Sequence, residues 1–154
     1  MTCSKFCCFV NKTRYDMFSG CCNLKKISIS SINTSNVTTM NKIFNGCTSL
    51  EYIDLSSINT SNVTDMGFIF FNCSSLKEIK FPEKIDTSKF KDMSLLFSGC
   101  SKLNSLYINN FDTSHLINMH RMFNACSTLK ELEIINFYTA NVISMRFMFC
   151  GCYL

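Results

Sequence analysis

The sequence of 154 residues contains one proline, Pro82, only five glycines, and no tryptophan or glutamine. So little proline and glycine excludes a collagen and a proline-rich linker. No apolar run reaches the roughly 18 residues that a membrane-spanning helix needs, so no membrane insertion is expected. Charge is scarce too, at 17% of residues. A chain that is 47% hydrophobic is too apolar and too weakly charged to stay disordered. The net charge of +4 is small and its basic residues are scattered, which argues against a nucleic-acid surface. Phosphate-cradling and nucleophile-elbow motifs are missing.

Abundant cysteine and phenylalanine stand in their place, and both are periodic. Cys21, Cys47, Cys73, Cys100, Cys126 and Cys152 are separated by 26, 26, 27, 26 and 26 residues. Phe18, Phe44, Phe70, Phe97, Phe123 and Phe149 keep the same step three residues earlier. Leucine follows at Leu24, Leu50, Leu76, Leu103 and Leu129, and then an I-x-L pair such as Ile53 and Leu55. The unit reads F-x-x-C-x-x-L-x-x-I-x-L-x-x-[IF]-[ND]-T-S-x-V-x-x-M-x-x-[MIL]. Repetition at this period signals a solenoid, in which stacked units bury what a lone unit cannot.

Each unit carries two periods. The I-x-L pair alternates as a short strand does. Val63, Met66, Ile69, Phe70 and Cys73 follow i, i+3, i+6, i+7 and i+10, which predicts a helix of about three turns. Thr-Ser pairs such as Thr60-Ser61 read as its N-cap, and Asn33, Asn59, Asp86 and Asp112 as Asx turns leading into it. Gly20, Gly46, Gly99 and Gly151, with Asn72, occupy the place of a left-handed helix stop. The expected fold is an α/β, right-handed leucine-rich-repeat-like solenoid of about five coils, with a short parallel sheet on one face and helices on the other. Residues 1–20 read as a degenerate N-terminal capping repeat, with Arg14 where the next unit has Met40 and Asn11 where it has Val37. Residues 21–154 form the solenoid. The single 27-residue step falls near Pro82–Lys84, where a loop between elements is expected to absorb it.

This pattern resembles the leucine-rich repeat of BspA-like surface proteins. The segment from Ile58 to Phe70 is similar to the 26-residue bacterial surface-protein repeat that accompanies it. The likeness runs over roughly residues 15–152. It implies a non-catalytic binding or adhesion module at the cell surface or in secretion. The residues themselves leave the compartment open. Met1–Val10 has no apolar signal core or cleavage site, and many reduced thiols suit a reducing compartment.

No enzyme, cofactor or metal is expected. The column cysteines read as small buried hydrophobes. Cys3, Cys7, Cys8, Cys22 and Cys150 lie outside the column, and their redox state stays open. His115 and His120 are five residues apart and do not converge. Glu131 and Glu133, about 7 Å apart on one strand face, have no cleft between them and read as solvated.

The candidate binding residues are those flanking the inward residue of each strand. One row is Lys26, Tyr52, Glu78, Ser105 and Glu131; the other is Ser28, Asp54, Lys80, Tyr107 and Glu133. They vary while the core columns repeat, as expected of a fixed scaffold with an adjustable face. A protein partner is expected on this face. The alternative is a structural subunit of a larger assembly that joins, or self-associates, through an uncapped C-terminal coil.

Overall fold

The computed structural model describes residues 16–30 and 32–153. The expected cap at residues 1–20 therefore lies mostly outside the described residues. Five three-residue strands recur once per unit: β1 (Lys26–Ser28), β2 (Tyr52–Asp54), β3 (Glu78–Lys80), β4 (Ser105–Tyr107) and β5 (Glu131–Glu133). They pair in parallel with like columns in register, Lys26 with Tyr52 and Tyr52 with Glu78, then Ser105 with Glu131. The inward residues Ile53 and Leu106 are buried because the strand's period of two sends every second side chain to the core.

The expected helices are not there, so the α/β assignment is corrected: among the described residues no helix occurs. Residues 40–47 and their counterparts form a run of overlapping turns. Alternate N–H groups leave the segment and bond the next coil. Met40, Lys42, Phe44 and Gly46 donate to the carbonyls of Asp65, Gly67, Ile69 and Phe71. The residues between them close four-residue turns, Ile43 to Met40, Asn45 to Lys42 and Cys47 to Phe44. Each turn segment also holds a non-glycine residue in the left-handed region, namely Lys42, Phe68, Leu95, Arg121 and Phe147, with φ between 53° and 60°. A right-handed helix cannot pass through such a residue. A second column, from Gly20 through Asn72 to Gly151, is also left-handed, but it ends a turn and not a helix. At Gly99 a Cβ would lie 2.5 Å from Oδ1 of Asn72, so glycine is needed there for space as well.

The misreading has a physical cause. Successive overlapping turns place Met66, Ile69, Phe70 and Cys73 inward, the same spacing as a helix face, and all four are buried. Lys42 tests the distinction. Because its side chain is exposed and its φ is 60°, Lys42→Gly should be more stable than Lys42→Ala by about 1 kcal/mol. In a helix the order would reverse. Urea unfolding of the two variants decides the sign.

The Thr-Ser pairs likewise serve the stack and not a helix cap. The buried hydroxyls of Thr34, Thr60, Thr87 and Thr113 donate to the carbonyls of Asn59, Asp86, Asp112 and Tyr138 in the following coil. The Asx turns are present: Asn33, Asn59, Asp86 and Asp112 each accept the N–H of the serine two residues on. Six phenylalanine rings, Phe18 to Phe149, stack nearly parallel with centroids 5.3–5.9 Å apart. From Cys47 to Cys152, each column thiol donates to the carbonyl of the phenylalanine in the preceding coil, as Cys73 to Phe44 and Cys126 to Phe97. That carbonyl also accepts its own turn N–H, so both lone pairs are used.

The extra residue near Pro82 is not simply absorbed by a loop. The strands divide into a sheet β1-β2-β3 and a sheet β4-β5, with no pairing between β3 and β4. The turn face is continuous across the same level, from Asp92 to Asn118. Where other units have two residues after the strand, Ser-Ser, Asn-Asn or Ile-Asn, this one has Pro82-Glu83-Lys84. In the second unit Ser56 N–H bonds Asp54 Oδ1; Pro82 has no N–H to give, and it holds Phe81 extended. Phe81 is also the bulkiest member of its column, and its ring packs edge-on against Phe111.

Candidate functional site: the exposed strand face

The backbone sets this site. With Ile27, Ile53, Ile79, Leu106 and Leu132 pointing inward, the flanking residues must point out. The structure brings both predicted rows together. Lys26, Glu78, Glu131, Ser28, Lys80, Tyr107 and Glu133 are exposed, and Tyr52, Asp54 and Ser105 are half-buried.

The rows are tied together across coils. Lys80 Nζ lies 3.9 Å from Asp54 Oδ2. Tyr107 donates its hydroxyl to Glu131 Oε2 at 2.6 Å, and that hydrogen bond, then the carboxylate's charge, raises the tyrosine pKa. Glu133 accepts from Asn109 Nδ2 at 3.2 Å. The Asp54 carboxyl is held below its usual range, first by the Ser56 hydroxyl, then by the Ser56 N–H, with Lys80 adding attraction. Glu131 and Glu133 thus each bind a neighbour on an open face, and no cleft encloses the pair. Exposed contacts of this kind contribute little stability, but they fix long side chains in place.

A third row escaped the sequence reading: Lys25, Glu51, Lys77, Asn104 and Lys130, just ahead of each strand. Within it Lys77 Nζ lies 2.8 Å from Glu51 Oε2, and this bond lowers the Glu51 pKa. The 26-residue step of these polar positions was the signal that could have found it. Also unforeseen is a groove of about 650 Å³ at the sheet break, with Ile79, Phe81 and Leu106 in its lining and Lys77, Glu78, Tyr107, Asn109 and Asn110 around them.

Elsewhere, His115 Nδ1 lies 2.9 Å from the Ser114 hydroxyl and His120 faces the Phe147 ring, so the two imidazoles have separate surroundings. Among the described residues no group of three His, Cys, Asp or Glu side chains could hold a metal, and no helix is long and apolar enough to cross a membrane. Cys22 and Cys150 are exposed, Cys21 and Cys152 half-buried, and the other four column cysteines buried. Cys3, Cys7 and Cys8 lie outside the described residues.

These features define a repeat protein, without helix among its described residues, that presents an ordered polar face from stacked strands. Residues 10–81 and 77–153 each match one protein family, described as Mycoplasma protein of unknown function, DUF285. The chain belongs to that family. Its two matches meet near the sheet break. No curated protein and no solved structure matches the chain.

Proposed function

We propose that this chain is a non-catalytic protein-binding module, and that it binds through the exposed strand face. The observation carrying this reading is the contrast between columns. The inward columns stay apolar in every coil, with phenylalanine, cysteine and leucine each repeated unchanged in one column, while the outward rows change from coil to coil and are tied by cross-coil bonds such as Tyr107 to Glu131. The face is mixed in charge and contains Tyr52 and Tyr107, and tyrosine is favoured at protein contacts. The resemblance to BspA-like surface repeats supports adhesion as the setting.

The test is capture of a partner by immobilised protein from the native source, then repetition with the purified partner. Combining Lys80→Glu with Tyr107→Ala should weaken binding by about tenfold or more. The control Lys91→Ala, on the turn face, should not. Equal binding by all three proteins would remove the strand face from the reading.

A second reading, a structural subunit joined through its last coil, is favoured by the apolar surface there. Ile135, Ile143 and Tyr153 are 83%, 86% and 79% exposed. Concentration-dependent association lost on Ile143→Glu would support it.

A further inference from the structure

We infer that the groove at the sheet break is the seat of a partner's arginine side chain: its stem lies on the apolar floor and its guanidinium reaches Glu78 and Glu83. This rests on the strand-face reading and names the anchor residue of that partner.

Three observations converge. First, the core is uncovered at this level alone within the stack. Ile53 and Leu55 on one side, and Leu106 and Ile108 on the other, are at most 3% exposed, while Ile79 and Phe81 between them are only half-buried. Strands β3 and β4 stay side by side here, with Cα atoms within 8 Å, but no ladder bond ties them. The groove of about 650 Å³ therefore lies over the two strands, with outward residues of both, Glu78, Lys80, Ser105 and Tyr107, in its walls. It receives a side chain from outside and leaves the stack intact. Second, the positive groups of its lining are already matched. Lys77 Nζ lies 2.8 Å from Glu51 Oε2, and Lys80 Nζ lies 3.9 Å from Asp54 Oδ2. Tyr107 and Asn109, on the β4 side, are engaged by the carboxylates of Glu131 and Glu133. Third, the negative groups are not matched. Glu78 and Glu83 line the groove and are exposed. Among the described residues neither carboxylate has an ion pair or a hydrogen bond. The unmatched charge of the groove is thus negative, and it borders an uncovered apolar floor.

A long side chain with an apolar stem and a cationic head fits both parts. Of the two such side chains, arginine is the better match. Its guanidinium is a planar fork that serves two carboxylates at once and is more weakly hydrated than an ammonium. Its flat face also stacks on an aromatic ring, and Tyr107, 54% exposed, borders the groove. Arginine is enriched at the energetic centres of protein interfaces. A purely apolar anchor would cover Ile79 and Phe81 but would desolvate the two carboxylates without pairing them.

The probe is N-acetyl-arginine N-methylamide, titrated into the isotope-labelled full chain and read by amide chemical shifts. Saturable shifts at Ile79, Phe81 and Leu106 are expected, with a dissociation constant of about 1–10 mM. The citrulline analogue has the same shape without the charge and should bind about tenfold more weakly. The lysine analogue should bind about threefold more weakly. Combining Glu78→Gln with Glu83→Gln, both at exposed positions outside the core, should weaken arginine binding by about tenfold. No saturable shift, equal binding of the citrulline or lysine analogue, or unchanged binding by the double variant would overturn the arginine seat. The outcomes separate from those of the parent reading. Loss of the natural partner with Lys80→Glu and Tyr107→Ala, alongside no arginine binding, leaves the face and removes the seat.

Discussion

Above pH 9 this protein should lose stability steeply, by roughly 3–4 kcal/mol for the first pH unit. The cause is the thiol column. Burial pushes the Cys126 thiol up to about 12, and it pushes Cys73 and Cys100 higher still, with neighbouring thiols in the column adding to the effect. An unfolded thiol ionises near pH 9. Below that, both states keep the proton and stability is unaffected. Between the unfolded and folded values, the unfolded chain releases protons that the native column retains. The unfolded state then binds fewer protons, and stability falls as pH rises. Each thiol contributes roughly 1 kcal/mol per pH unit, and three act together. The loss is large against the 5–15 kcal/mol that ordinary domains possess. Urea midpoints at pH 8, 9 and 10 measure it. Combining Cys73→Ala, Cys100→Ala and Cys126→Ala should cost stability at pH 8 yet flatten the slope above pH 9. An equally steep slope in that variant would assign the alkaline loss to other groups.

The same column shows how far a sequence of this kind can be read. A 26-residue step in cysteine, phenylalanine and leucine was enough to place the strands at Lys26, Tyr52, Glu78, Ser105 and Glu131 and to separate inward from outward residues. It did not separate a helix from a run of turns, because Met66, Ile69 and Phe70 are spaced alike in both. The distinction lies in where N–H groups go, and those of Met40, Lys42 and Phe44 go to another coil. A glycine at the left-handed column would have exposed the turns. That column holds Lys42, Phe68, Leu95, Arg121 and Phe147, none of which signals positive φ. The hydroxyl of Thr60 was expected to cap a helix by accepting first-turn N–H groups; it instead donates to the Asp86 carbonyl of the next coil, as Thr113 does to Tyr138. The sheet break was visible as Pro82 and a 27-residue step. Treating it as a loop insertion missed that an edge strand tolerates proline where a paired one does not. The candidate rows were legible because a strand has only two faces. The groove was not, since it arises from a bond that fails to form.

Replacing Phe97 by alanine should cost roughly 3–5 kcal/mol, enough to unfold a large share of molecules if the parent is ordinarily stable. Phe97 is fully buried and sits between the rings of Phe70 and Phe123, with centroid distances of 5.8 and 5.6 Å. Alanine therefore removes a whole buried ring and two aromatic contacts, and leaves a void inside the stack. The backbone cannot close that void cheaply. Phe97 N–H bonds Met122 O, and the Phe97 carbonyl accepts from both the Cys100 N–H and the Cys126 thiol. The spacing of two consecutive coils is thus set by bonds at the same residue. Phe149 is the internal comparison. It stacks on Phe123 alone and is 39% exposed, so Phe149→Ala should cost about 1–2 kcal/mol. The difference measures what a second neighbouring ring and full burial add in an otherwise identical position. If urea midpoints showed the two substitutions to be equally mild, the phenylalanine file would be a consequence of stacking by the backbone ladder and not one of its causes.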